Sequence, residues 1–309
     1  MEIDENAIAE NNAALDAVVA QALQQKRLVF DKKFKDGYQI LKKLEEVDNN
    51  TESRIKAINK KAARSCLMSL GAFICAIIAG SVFESEIAVI ICVVIIALML
   101  ILTIAIKIKG RIVGRNDLPD YFKDSLLPVL DMLQEDINQK AKVKFDLDFS
   151  PGNLKSKIVG KEKLPPGSNR KLIKTTYHNP WCKVQLGLTN GSIIRLDMTS
   201  HLFSFDRHYK TYRGKYKHKR KWKVIVEVTA ILFPDKDRLR VDIDSVAQAA
   251  QSFKIKPGTK GDQGFIKHVR KFKFKVNAPF EIPDHTVKVD DIMEILITLC
   301  KSTTKAERV

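Results

Sequence analysis

Apolar residues recur with three different periods along this chain, and each period predicts a different kind of element. In the first sixty residues, Leu15, Val18, Val19, Leu23, Phe30, Phe34, Ile40, Leu41 and Leu44 return every three to four positions, which predicts a helical arm over 1–60. Gly37 interrupts the repeat, and Asp48-Asn49-Asn50-Thr51 reads as a break with Thr51 capping the helix that follows. Such an arm either forms a short coiled coil with a second copy or folds back on the cytosolic domain.

The next region has no period because it has no polar face. Residues 65–83 and 87–106 are two uncharged apolar runs separated only by Glu84-Ser85-Glu86. Each is long enough, as a helix, to cross ~30 Å of hydrocarbon, so the pair predicts a two-helix transmembrane hairpin. The first run carries Ala72, Ala76 and Gly80 at four-residue spacing, a small-residue stripe that allows close helix packing, either within the hairpin or against another copy. Residues 117–140 return to a helical period. Phe122, Leu126, Val129, Leu130, Leu133 and Ile137 form the apolar face of an amphipathic helix that Pro128 kinks or delays. The negative charge of this segment favours docking on protein over lying on a membrane.

From residue 141 the period falls to two. Val143, Phe145, Leu147 and Phe149 alternate with polar residues, and Trp181–Leu188 and Ser192–Met198 flank Thr189-Asn190-Gly191, a hairpin signature. Further strands are expected at 202–205, 222–232, 239–243, 253–256 and 272–276, with short helices near 245–251 and 290–301. The expected fold is an α+β membrane protein: helical arm, two-helix hairpin, amphipathic helix, then a β-rich barrel or sandwich over 141–309.

Charge gives this layout a direction. The chain has 53 Lys+Arg against 36 Asp+Glu, and the excess lies almost wholly after residue 150. Arg54, Lys56, Lys60, Lys61 and Arg64 precede the first run, Lys107, Lys109, Arg111 and Arg115 follow the second, and the connection between them has none. The positive-inside rule therefore places both termini in the cytosol, with the chain in the cytoplasmic membrane. Five cysteines, three of them inside the apolar segments, do not form a disulfide scaffold.

The basic region is patterned as well as rich. Lys215, Lys217, Lys219, Lys221 and Lys223 occupy every second position, and Lys271, Lys273 and Lys275 repeat the device, with a weaker copy at Lys254 and Lys256. On a strand each series forms a single-charge face, more than edge protection requires, and this predicts anion binding. Anionic phospholipid of the inner leaflet is the favoured partner because a tether keeps it close. Nucleic acid is the rival. Trp222, Phe272 and Phe274 alternate away from the lysines as core, whereas Tyr209, Tyr212 and Tyr216 keep a stacking platform in play.

Catalytic chemistry has weaker support. His178 with Cys182 is a conceivable nucleophile pair, His201, Asp206 and His208 cluster nearby, and Asp146/Asp148 and Asp242/Asp244 share strand faces. No metal-ligand spacing is completed and no phosphate-cradling glycine loop appears, so no cofactor, metal or catalytic residue is assigned and a non-enzymatic role is expected. The layout resembles membrane effectors of bacterial defence systems. That resemblance is one of architecture and implies an oligomerising two-helix effector as the second reading, with self-association through the first span and the N-terminal arm. A membrane-tethered nucleic-acid-binding protein or nuclease is the third.

Overall fold

A computed structural model describes residues 5–82, 86–114, 117–165, 170–235, 237–242, 246, 255–260, 263–275, 282 and 285–305. In chain order these form α1 (Glu5–Gln25), β1 (Arg27–Lys33), α2 (Phe34–Val82), α3 (Glu86–Val113), a π-helical turn (Phe122–Leu126) running into α4 (Leu127–Leu133), and β2 (Lys142–Asp148). There follow β3 (Ile158–Leu164), β4 (Arg170–Gly187), β5 (Ile193–Lys210), β6 (Tyr216–Phe233), β7 (Leu239–Val241), β8 (Ile255–Lys260), β9 (Gln263–Lys275), α5 (Val289–Lys301) and β10 (Thr303–Lys305). The chain is α+β and divides into two units, Met1–Leu41 with Pro119–Val309, and Lys42–Leu118.

The first unit is built on one antiparallel sheet in the order β1-β2-β4-β5-β6-β9-β8, with β3 also paired to β4. It is neither of the expected β architectures. Among the described residues the ladder does not close, with β1 and β8 at its ends; helices cover its apolar face, and β7 and β10 form a separate two-stranded sheet. Phe122, Leu126, Leu130, Ile292, Ile295 and Leu296 supply that cover and are almost fully buried. The covering layer is pinned by Phe122 against Phe149 at 5.1 Å, by Ser125 Oγ donating to Val287 O at 2.7 Å, and by Arg270 pairing with Asp291 at 3.2 Å and with Glu294. The amphipathic face expected over 117–140 is buried as read, but α4 stops at Leu133 and begins at a π turn, with Pro128 near its first position, where a missing N–H is tolerated.

β4 and β5 pair from Gly187↔Ile193 out to Arg170↔Tyr209, with a bulge at Pro180/Cys182. Their turn is the expected Asn190-Gly191, where Gly191 takes φ 86°. A Cβ there would come within 2.2 Å of Asp235 Oδ2, so Gly191→Ala combines backbone strain with a clash. It is expected to destabilise by about 1–3 kcal/mol; an unchanged thermal midpoint would contradict this turn geometry.

The arm of residues 1–60 is not one helix with a break. Arg27–Lys33 is a strand, paired antiparallel to β2 from Arg27↔Asp148 to Lys33↔Lys142, and α1 buries Val19, Ala22 and Leu23 within this same unit. The break expected at Asp48–Thr51 is absent as well. α2 runs through it, since Thr51 Oγ1 bonds back to Val47 O at 2.8 Å instead of capping a new start.

In the second unit, α2 and α3 run antiparallel. Gly110 faces Ile58 and Gly114 faces Ile55, and Thr103 Oγ1 donates to Ser65 Oγ at 2.9 Å, which in turn reaches Met99 O at 3.3 Å. Ser65 and Ser69 are buried and Ala72 continues their line half-buried. The side chains of Ala76 and Gly80, and the connection at Glu84-Ser85, lie outside the described residues. Among the described residues one helical segment, Val93–Val113, is long and apolar enough to cross a membrane, and none of it is buried.

Candidate anion-binding face

Alternation on β6 separates two surfaces. Trp222, Val224, Val226, Val228, Ala230 and Leu232 point into the core, while Lys217, Lys219 and Lys221 are exposed and Lys223 is half-buried on the other side. The register then decides their company. Lys217 stands opposite Tyr209, Lys219 opposite Arg207, Lys221 opposite Phe205 and Lys223 opposite Phe203. On the far side of β6, Lys223 meets Lys275, Ile225 meets Lys273 and Glu227 meets Lys271. Direct antiparallel partners share a face, so both lysine series lie on one surface, in adjacent strands.

Two of the eight expected positions differ in detail. Lys215 precedes β6, in a turn where its carbonyl accepts from Thr211 N at 2.8 Å. Lys275 holds its register, but its side chain lies outside the described residues, as does Lys254 of the weaker copy.

Charge is distributed unevenly over this surface. Near β1 and β2 it is compensated: Arg27–Asp146 at 3.0 Å, Lys144–Asp31 at 3.2 Å and Arg195–Asp197 at 3.0 Å. Lys271 is held by Glu227 at 2.7 Å, a hydrogen bond that keeps the Glu227 carboxyl below its ordinary value. Farther out, the segments 158–164, 170–178 and 201–223 contain fourteen Lys/Arg against only Glu162 and Asp206. Both acids are engaged. Glu162 pairs with Lys174 at 3.1 Å, and Asp206 accepts from Arg220 at 2.5 Å and His218 at 3.0 Å. Burial pushes the Asp206 carboxyl up, but those two partners more than offset it and hold it below the usual range. Lys217, Lys219, Lys221 and Lys223 have no acidic partner among the described residues. This outer wing of β3, β4, β5 and β6 is therefore the concentrated source of the positive field.

Comparison of the chain with protein-family models, with curated proteins and with solved structures finds no match in any of the three. Function rests on the geometry alone.

The aromatic residues directly across the ladder from the β6 lysines are Phe203, Phe205 and Tyr209, all half-buried on β5. Lys174 Nζ sits 5.8 Å from the Phe203 ring centre. On the lysine strands Trp222 belongs to the core and Phe272 and Phe274 share its inward side; on the neighbouring strand the sequence pointed to Tyr209 but not to Phe203 and Phe205. The signal was present as Phe203-Ser204-Phe205-Asp206-Arg207-His208-Tyr209, in which odd positions are aromatic or basic. The hairpin end continues the mixture, with Tyr212 and Tyr216 almost fully exposed beside Arg213 and Lys210 at 5.2 and 5.6 Å.

The candidate catalytic pair does not form. His178 lies opposite His201, ring centres 5.1 Å apart, whereas Cys182 lies past the bulge and is fully buried, so burial pushes its thiol up, away from the reactive thiolate. Asp206 is drawn to His218 and Arg220 on the inward side, and His208 stacks on His218 at 4.3 Å. Asp146 and Asp148 are used in separate ion pairs, with Arg27 and Lys157, and Asp244 lies outside the described residues. In the second unit, Asp48, Glu52 and Asp117 bring carboxylate oxygens within 4.8 Å of one another, but Asp48 Oδ1 is already bonded by Leu118 N at 2.7 Å, a tie between helix and following loop.

Proposed function

We propose that the chain is a two-pass protein of the cytoplasmic membrane whose cytosolic sheet captures a polyanion without chemical turnover. The membrane part rests on Val93–Val113 as one span and on the uncharged run of α2 before Glu84 as the other, with both flanks basic. Capture rests on one observation: four alternate lysines on β6 with no acidic partner among the described residues, beside a second lysine series on β9. Accumulating like charge on adjacent strands opposes folding, and a bound polyanion relieves that repulsion.

The test uses full-length protein in detergent with inorganic polyphosphate as probe. Wild type is expected to bind it with strong salt dependence. Changing Lys217, Lys219, Lys221 and Lys223 together to Gln should weaken capture at least tenfold at physiological salt with the thermal midpoint preserved or raised. Equal capture by the variant would sink the assignment. For topology, a cysteine introduced at Glu84 should react with an impermeant maleimide from outside intact cells; labelling only after lysis would reverse the orientation.

A further inference from the structure

We infer that the polyanion is a single-stranded nucleic acid, its phosphates along the β6 lysines and its bases stacked on Phe203, Phe205 and Tyr209. The inference rests on the capture reading above and names the ligand of that same face. Three observations carry it.

The first is register. Each of three lysines has a ring directly across the ladder: Lys217 with Tyr209, Lys221 with Phe205, Lys223 with Phe203. One row of charge beside one row of rings suits a chain whose own phosphates and bases form two parallel rows, because stacking accepts any base and the cations track the backbone. Arg207, opposite Lys219, extends the charge into the ring row and offers a planar group for stacking.

The second is depth. The rings are half-buried, whereas Lys217, Lys219 and Lys221 stand exposed around them. A bilayer surface meeting this face would touch the ammonium groups and leave the rings untouched. A planar base can descend between lysine stems, and a duplex cannot present one because its bases are stacked inside.

The third is spacing. Alternate strand residues repeat every ~6.8 Å, so Lys217 to Lys223 span ~20 Å in a straight line. That repeat is close to the separation of successive phosphates in an extended single strand.

The experiment measures binding of full-length protein, in detergent, to a fluorescent oligothymidylate, to its duplex form and to inorganic polyphosphate, and in nanodiscs to vesicles containing phosphatidylserine. The oligothymidylate is expected to bind more tightly than either duplex or vesicles. Phe203→Leu with Phe205→Leu should weaken oligothymidylate binding about tenfold per ring while leaving polyphosphate capture unchanged. Tyr209→Leu, nearer the hairpin end of β5, repeats that test at a second position, with the thermal midpoint of each variant measured alongside. The four-lysine Gln variant should weaken both probes and flatten the log–log salt slope for the oligonucleotide by about 3. Unchanged oligothymidylate affinity in the Leu variants, or tighter binding to vesicles, overturns the nucleic-acid assignment and leaves polyanion capture standing. Failure of wild type to hold polyphosphate overturns both.

Discussion

Trp181→Ala is expected to lower the stability of the sheet unit by about 3–5 kcal/mol, a large share of the 5–15 kcal/mol typical of a native domain. Trp181 is the bulge residue of β4, 2% exposed, and its ring lies 4.3 Å from that of Tyr121, at the entrance to the π turn. Its indole Nε1 is buried with no partner among the described residues, so the loss is counted as transfer energy plus the cavity left behind. Trp181→Phe keeps most of the contact and should recover over half of the loss. Denaturant titration of the purified protein, followed through the fluorescence of Trp222, gives both numbers. A loss under ~1 kcal/mol would show that the helical layer holds the sheet without this residue.

Lys157→Met is expected to cost about 2–4 kcal/mol. The Lys157 ammonium, 11% exposed, donates to Asn179 Oδ1 at 2.7 Å and Ser150 O at 3.0 Å and pairs with Asp148 Oδ2 at 2.9 Å. Methionine retains the stem and strands the carboxylate. In the wild type, burial pushes the Asp148 carboxyl up, but hydrogen bonds from Ser150 and Lys157, with the ammonium charge, more than offset this and hold it below its ordinary value. A carboxyl lowered on folding contributes stability above its unfolded pKa of about 4 and loses it as pH falls through the lower folded value. Wild type and variant should therefore differ most at neutral pH and converge in acid. Parallel curves down to the acid limit would mean that Lys157 acts by packing alone.

Much of this fold could be read from local pattern. Alternation marked β2 and the inward face of β6, and Asn190-Gly191 marked the β4–β5 hairpin, because those signals depend on neighbours in sequence. β1 escaped because Phe30 also fits a helical spacing with Phe34, and what makes Arg27–Lys33 a strand is β2, with Arg27 and Asp146 119 residues apart. The barrel or sandwich expectation failed for a related reason: strand periodicity says that one face is apolar but not whether a sheet or helices will cover it. The lysine side of the site was legible for the same reason as the strands. Of its rings only Tyr209 was, because a phenylalanine on a β strand reads as core until register shows Phe203 and Phe205 on the same side as the lysines.

The pairing of β1 with β2 also bears on how the molecule is made. Leu28 and Phe30 leave the ribosome before the apolar helices, and Leu147 and Phe145, which they meet in the finished ladder, emerge after them. At ~5–20 residues per second, roughly 6–24 s separate the two. Throughout that interval β1, with two large apolar side chains, lacks its ladder partner. Synthesis therefore has an obligatory order in which α2 and α3 are made before β1 can pair with β2.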